Sequence, residues 1–154
     1  MTNLKKILVP TDFSEHSSRA LRFAADLARK YDAALTLLHV NDLVVTLAPY
    51  PPLPPKILDT AMTEARALLE RAKGEASSLG VPQVETNLID GRPFHEIVRF
   101  AEQGDYDLIV MGTHGRSGFN RVLLGSVAER VVRGAGRPVL TVPLRGSPES
   151  AREA

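Results

Sequence analysis

Residues 107–126 read DLIVMGTHGRSGFNRVLLGS, the most informative pattern in this chain. Its first part, 107–111, is almost wholly apolar, as in a buried parallel strand. Glycine then occurs at positions 112, 115 and 125, and Ser126 opens a stretch with helical periodicity. Glycine lets a ligand approach the main chain closely, and the N–H groups at a helix start attract anions. The segment therefore predicts a strand, a phosphate-binding loop and a helix.

Apolar strands alternate with amphipathic helices on either side of this segment. We expect strands at 7–10, 34–40, 84–88, 107–111 and 138–142, and helices at 14–31, 56–79, from Pro93 onward and at 126–133. Ser14 is the expected N-cap of the first helix, Gly80 ends the second, and the prolines between 49 and 55 predict an extended loop. This alternation predicts an α/β fold with a parallel sheet and helices on both faces.

The ends of three expected strands carry the candidate binding residues. Ligands of open parallel sheets bind at the carboxyl ends of strands, where the strand order reverses. Asp12 follows the first strand, Val40 ends the second, and Gly112 follows the fourth. If the first and fourth strands are neighbours, these residues face one crevice.

The residues of the glycine loop have separate expected roles. Gly112 lets the chain leave the strand beneath a ribose, and Gly115 turns the loop so that successive N–H groups point inward. Gly125 leaves room for a phosphate group. Ser126 and Val127 offer N–H groups at a helix start, where the helix dipole favours an anion. The Ser126 hydroxyl is also a candidate ligand of a nucleotide-bound Mg²⁺ ion.

Two polar side chains in the pattern have more than one interpretation. Asp12 is expected to bond the ligand or the loop; the alternative is a general base or metal ligand, although no second carboxylate lies within two residues of it in sequence. His114 contacts the ligand or packs the loop, since no nucleophile or acidic partner is spaced for a triad. Arg116 and Arg121 add positive charge nearby. We predict no catalytic residue.

Length and composition limit the function further. The chain has 154 residues, 19 basic and 18 acidic side chains, and no cysteine, which excludes disulfides, iron–sulfur clusters and thiol catalysis. The near-zero net charge gives no reason to expect a nucleic-acid partner, and no apolar stretch approaches the roughly 20 residues of a membrane span. We expect a cytoplasmic protein with one domain at 1–144 and a flexible tail at 145–154.

The final strand is a candidate interface. Val139, Leu140 and Val142 are apolar, with polar character only at Thr141. At a sheet edge, such a strand exposes unpaired main-chain groups together with apolar side chains. Pairing with a second copy through a twofold axis removes both problems. We therefore predict a homodimer through residues 138–143.

Taken together, these motifs resemble those of the universal stress protein family. The resemblance covers residues 4–143, and the Gly-x2-Gly-x9-Gly-Ser spacing is typical of the nucleotide-binding branch of that family. The matching features are Pro10-Thr-Asp12 with Ser14, Val40, the segment from Met111 to Gly115, Gly125 with Ser126, and the 138–142 strand.

The resemblance implies a Rossmann-like, doubly wound sheet of five parallel strands in the order 3-2-1-4-5. It also implies an adenine nucleotide (ATP, ADP or AMP), with Mg²⁺, bound by a protein that is often dimeric. Carried over, adenine would contact Pro10, Asp12 and Val40. The ribose and first phosphates would contact Gly112, Thr113, His114, Gly115, Arg116, Ser117 and Gly118. The distal phosphates would contact Gly125, Ser126 and Val127.

The expected function is a regulatory or stress-response module in which bound ATP changes conformation or partner affinity. One alternative is a slow ATPase, because phosphate donors are present; another is a nucleotide-independent interaction scaffold on the same fold. Turnover is the lesser expectation, since no general base or water-positioning residue can be assigned. Two other nucleotide motifs, Gly-x4-Gly-Lys-Ser/Thr and Gly-x-Gly-x-x-Gly, are absent from the sequence.

Overall fold

Strands and helices alternate along the chain in the computed structural model, which describes residues 3–43, 53–115 and 124–144. In order, the elements are β1 (Lys6–Pro10), α1 (Glu15–Tyr31), β2 (Ala34–Asn41), α2 (Pro55–Ser78), β3 (Val84–Asp90), α3 (Pro93–Gln103), β4 (Leu108–Gly112), α4 (Ser126–Gly134) and β5 (Val139–Val142). Each strand and helix expected from the sequence is present. The expected tail at 145–154 lies outside the described residues, as do prolines 49, 51 and 52.

The five strands form one parallel sheet in the order β3-β2-β1-β4-β5, which confirms the expected fold class. β1 pairs with β2 on one side and with β4 on the other. The strand order therefore reverses at β1, and the segments that follow β1 and β4 leave the sheet beside each other. β3 and β5 are the edge strands of this sheet.

Two apolar clusters cover the two faces of this sheet. Successive side chains of β1 point to opposite faces, so Ile7 and Val9 belong to one cluster and Leu8 to the other. Helices α1 and α2 supply alanines and leucines to the first cluster, and α3 and α4 supply Ile97, Ala101, Ala128 and Val131 to the second. Within the described ranges, no helix combines the length and apolar character needed to cross a lipid bilayer.

Local contacts explain most of the element boundaries. Ser14 caps α1, because its hydroxyl oxygen accepts from the Ser17 N–H at 3.3 Å. Gly80 has φ = 91° after α2, as expected of a glycine that ends a helix. The prediction of a proline loop to residue 55 was wrong at its end, since Pro55 is the first residue of α2. Proline suits that position because the first helical N–H has no partner within the helix.

Asp107 was expected to begin the fourth strand, but the strand begins one residue later. Its carboxylate instead accepts hydrogen bonds from the main-chain N–H groups of Lys5 and Lys6, both at 2.8 Å. These bonds connect the segment before β4 to the start of β1. They support the pairing of the two strands at which the order reverses.

A buried hydroxyl pair joins β2 to the segment before β4. Tyr106 Oη donates to Thr36 Oγ1 at 2.9 Å, and the two residues are 6% and 4% exposed. Burial raises the pKa of the Tyr106 phenol above its ordinary value of 10.0. The hydrogen bond to Thr36 opposes this rise in pKa, and the negative charge of Glu85 adds to it.

Tyr106→Phe is expected to lower the free energy of unfolding at pH 7 by about 1 kcal/mol, because the buried Thr36 hydroxyl loses its partner. In the unchanged protein, the phenol stays protonated at pH values where the unfolded chain ionises it. The contribution of this raised pKa to the free energy of unfolding is therefore complete below pH 10. It is lost as the pH rises through the folded-state pKa. Urea unfolding between pH 7 and 11 should show a steeper alkaline loss for the unchanged protein than for the variant.

Thr36→Val and the double variant provide the control, because a double-mutant cycle isolates the coupling between the two hydroxyls. A coupling of zero at pH 7, or equal alkaline slopes for the unchanged protein and Tyr106→Phe, would contradict this account of the pair.

Candidate functional site

A cavity of about 540 Å³ opens at the carboxyl ends of β1, β2 and β4. Its walls are the turns that follow β1 and β4, the end of β2, and the starts of α3 and α4. One part is apolar, with Leu38, Val40, Ile97, Met111 and Ala128 among its lining residues. The cavity lies where the strand order reverses, which is the usual ligand position in a sheet of this type.

The structure brings together every predicted site residue that it describes. The residues on the cavity wall are Pro10, Asp12, Val40, Gly112, Thr113, His114, Gly115, Gly125, Ser126 and Val127. The other three, Arg116, Ser117 and Gly118, lie outside the described residues. That these residues bind a nucleotide remains a prediction.

The glycine pattern has two arms, residues 112–115 after β4 and residues 125–127 at the start of α4. A main-chain hydrogen bond joins them. The Gly125 N–H donates to the Thr113 carbonyl at 2.6 Å. This bond places the segment after β4 against the start of α4, although the two are far apart along the loop. Residues of both arms therefore line the same cavity.

None of the three motif glycines has a positive φ, and an added Cβ would be crowded at each of them. A Cβ at Gly112 would lie 2.8 Å from the His16 main chain, and one at Gly115 would lie 2.7 Å from Asp12 Oδ2. A Cβ at Gly125 would lie 3.2 Å from the Thr113 carbonyl oxygen. Among the described glycines, positive φ occurs at positions 80, 91 and 136. Gly115 therefore has no positive φ, and the expectation that it turns the loop so that successive N–H groups point inward stays a prediction.

The start of α4 offers main-chain donors to the cavity. Gly125 is its N-cap and makes no side-chain capping bond, so the N–H groups of the first turn are not satisfied by a cap. Ser126, Val127 and Ala128 all line the cavity. First-turn N–H groups together with the helix dipole favour an anionic ligand. This wall is chemically suited to phosphate.

A second carboxylate reaches the cavity and was missed in the sequence. Asp42 follows β2 directly and lines the same cavity as Asp12. Asp42 is distant from Asp12 along the chain. The carboxyl end of β2 nevertheless meets the same rim of the sheet as the carboxyl end of β1. The described lining residues include these two carboxylates and neither lysine nor arginine.

The sequence analysis also missed residues that other elements contribute to the wall. They are Thr11, Ser17, Leu38, His39, Pro93, Ile97, Met111, Leu124 and Ala128. Pro93 and Ile97 had a usable signal, because α3 follows β3 and must begin at the same rim as the other helices. The others depend on which face of each strand or helix is turned toward the cavity.

The histidines occupy different environments. His114 Nδ1 lies 3.0 Å from Thr113 Oγ1, and its ring is 5.3 Å from the ring of His16. His39 Nδ1 lies 2.8 Å from the Thr11 carbonyl oxygen. His16 Nδ1 is buried without a hydrogen-bond partner among the described residues. In the described part of the chain, no three His, Asp or Glu side chains are grouped to hold a metal ion.

The sequence matches that of a known family over nearly its whole length. The profile of the Universal stress protein family matches residues 3–143. The Universal stress protein MJ0531 of Methanocaldococcus jannaschii is 41% identical over 143 residues, which are 90% of this chain and 81% of the relative.

Solved structures share the fold. Hypothetical protein MJ0577 superposes with a TM-score of 0.81 at 33% identity, covering 94% of this chain and 99% of that one; it is also from M. jannaschii. A universal stress protein in complex with cAMP has a TM-score of 0.72 at 26% identity, over 92% of this chain and 98% of that one. The protein from Archaeoglobus fulgidus in complex with dAMP has a TM-score of 0.66, with the same identity and coverage. With this profile match and these relatives, the chain belongs to the universal stress protein family.

Proposed function

We propose that this protein binds an adenine nucleotide, foremost ATP, in the cavity at the β1/β4 reversal, and acts as a regulatory module of the stress response in the cytoplasm. The observation that carries the proposal is the convergence of both arms of the glycine pattern and the start of α4 on one cavity of about 540 Å³. A cavity of that size falls in the range of small-molecule sites.

The chemistry of the cavity walls supports this class of ligand. The apolar part near Pro10, Val40 and Ile97 suits a planar base. The N–H groups at Ser126 and Val127 suit phosphate. The relatives described in complex with cAMP and dAMP support adenine and a phosphate group as the shared features.

In this proposal each wall has a separate task. Pro10, Asp12 and Val40 contact adenine. The ribose and first phosphates are held by the segment Gly112, Thr113, His114 and Gly115, and by the succeeding Arg116, Ser117 and Gly118. The distal phosphates are held by Gly125, Ser126 and Val127.

A divalent cation suits the electrostatics of this arrangement. The described lining carries Asp12 and Asp42, so phosphate oxygens brought near them experience repulsion. Mg²⁺ bound to the phosphates reduces that repulsion, and it prefers oxygen ligands. We propose that the Ser126 hydroxyl is an additional oxygen near this ion.

The direct test is identification of the resident ligand. Protein purified without added nucleotide is extracted and the released small molecules are identified by mass spectrometry, and the stripped protein is titrated with MgATP by calorimetry. We expect a released adenine nucleotide and saturable heat without multiple-turnover release of phosphate. Sustained phosphate release would favour a slow ATPase, whereas absence of both heat and a thermal shift would favour the nucleotide-independent scaffold.

Gly125→Val is expected to raise the Kd for MgATP at least about tenfold, equivalent to about 1.4 kcal/mol. A Cβ there lies 3.2 Å from the Thr113 carbonyl oxygen and 3.3 Å from His114 Cα, so a branched side chain separates the two arms of the pattern. Calorimetric titration measures the change in affinity.

Gly74→Val is the matched control. Gly74 lies in α2, and a Cβ there has no atom within 4 Å. We expect unchanged affinity in this variant, with circular dichroism confirming that both proteins are folded. Tight MgATP binding by folded Gly125→Val would contradict the placement of the phosphates.

We also propose that the protein is a homodimer through residues 138–143. β5 pairs only with β4 among the described strands. Val139 and Leu140 pack on opposite core clusters, and each side chain is still half-buried. Ile109 N–H donates to the Pro138 carbonyl at 3.0 Å. In a parallel ladder alternate residues bond the same neighbour, so the main-chain groups of Val139 and Thr141 face away from β4. A second β5 strand would satisfy them.

Thr141→Pro is expected to convert the dimer to a monomer, because it removes an outward N–H group while an edge strand tolerates proline. Size-exclusion chromatography with light scattering at micromolar concentration measures the mass. Thr141→Val keeps the N–H group and should remain dimeric. A monomer mass for the unchanged protein, or a dimer mass for folded Thr141→Pro, would contradict this interface.

A further inference from the structure

Phe13 has an unusual backbone conformation beside the cavity. Its φ is 64°, in the left-handed region, where a bulky side chain is rare because Cβ approaches the main chain too closely. The other described non-glycine residues with positive φ are Asp32 and Asp105, and aspartate tolerates this region better. Phe13 connects Asp12 to Ser14, the N-cap of α1. Such a conformation persists only where surrounding contacts hold it.

Two neighbouring residues hold Phe13 in this conformation. Its N–H donates to Thr11 Oγ1 at 3.1 Å, a hydrogen bond within the turn between β1 and α1. Its ring packs against the His39 ring of β2, with ring centres 4.5 Å apart and an angle of 35° between the planes. The aromatic contact joins the turn to the strand next to β1.

His39 also holds the other end of the turn. Its Nδ1 lies 2.8 Å from the Thr11 carbonyl oxygen, and because a carbonyl oxygen only accepts, Nδ1 carries the proton and donates. The Thr11 N–H donates in turn to the Leu38 carbonyl at 2.8 Å. One β2 side chain therefore contacts both residues that flank Asp12.

The turn held in this way determines where the Asp12 carboxylate lies. Asp12 Oδ1 accepts from the Ser14 N–H at 3.0 Å. The other oxygen, Oδ2, occupies the space beside Gly115, where an added Cβ would be 2.7 Å away. A change of φ at Phe13 redirects the chain between Asp12 and Ser14, and the Asp12 carboxylate then moves away from Gly115.

We infer that Phe13 and His39 are positioning residues of the nucleotide site. Their ring contact and the His39–Thr11 hydrogen bond hold the β1–α1 turn so that Asp12 faces the ligand. Phe13 acts through Asp12, because it is not itself among the residues that line the cavity. The inference rests on the proposed function, in which Asp12 contacts the base.

Three substitutions of Phe13 separate positioning from stability. Phe13→Gly removes the ring, and glycine adopts the observed φ without steric cost. Phe13→Ala removes the ring and keeps that cost, whereas Phe13→Tyr keeps the ring. We expect Phe13→Gly to unfold at a higher urea concentration than Phe13→Ala, yet to bind MgATP about tenfold more weakly than the unchanged protein, since a misplaced contact group loses its effect. Phe13→Tyr should retain the affinity.

Affinity that follows unfolding stability across the three variants would overturn the inference, because Phe13 would then have only a structural role. Unchanged affinity in Phe13→Gly would overturn it as well. His39→Phe keeps a ring against Phe13 and removes the donor to Thr11. Because His39 also lines the cavity, we expect this variant to weaken MgATP binding and to speed exchange of the Ser14 N–H as well. Unchanged affinity in His39→Phe would overturn the part of the inference that concerns this hydrogen bond.

A second measurement tests the inference without a ligand. Amide hydrogen exchange by NMR reports on the Ser14 N–H, which is bonded to Asp12 Oδ1. We expect its exchange to be about tenfold faster in Phe13→Gly than in Phe13→Tyr, with the central turns of α1 unchanged. If the unchanged protein does not bind MgATP, the proposed function fails, and this exchange rate alone decides the inference: equal rates overturn it.

Discussion

The pairing of β1 with β4 is the constraint on which the cavity depends. Ile7 and Leu8 lie opposite Leu108 and Ile109, and β1 pairs with β2 on its other side. Asp12 and the glycine pattern belong to distant parts of the sequence and become neighbours only through this pairing. The Asp107 carboxylate supports it by accepting two hydrogen bonds from the main chain before β1. A sheet with another strand beside β1 would keep its core and lose the crevice.

The sequence was sufficient for the order of the elements because each strand and helix has a clear apolar period. The strand order came from the family resemblance, since alternation alone is compatible with several orders. Asp42, Pro93 and Ile97 were missed for a related reason. Their relation to the cavity depends on which strand ends and helix starts share a rim, and distance along the chain does not report this.

A glycine in a sequence can mark either a positive φ or a position without room for a side chain, and the sequence does not distinguish the two. Gly115 is expected to turn the loop, and in the structure the Asp12 carboxylate also lies where a side chain of residue 115 would begin. The left-handed backbone of Phe13 had no signal in the sequence, because the contacts around it include a ring of β2 that is distant along the chain. Pro55 is compatible with the end of a loop or with the first position of a helix, and the sequence alone does not distinguish the two.

The two sides of the cavity are held by different kinds of contact. On one side, Gly112 lies so close to the His16 main chain that a methyl group would not fit, so the backbones of β4 and the first turn of α1 pack directly against each other. On the other side, α3 and α4 meet through the Phe94 ring, which lies against Gly134 and under the Arg130 guanidinium, 4.3 Å from the ring centre. Side-chain contacts of this kind yield by small rotations, whereas touching backbones do not. We therefore expect a larger ligand to be accommodated by rotation of side chains between α3 and α4, with the spacing of β4 and α1 unchanged.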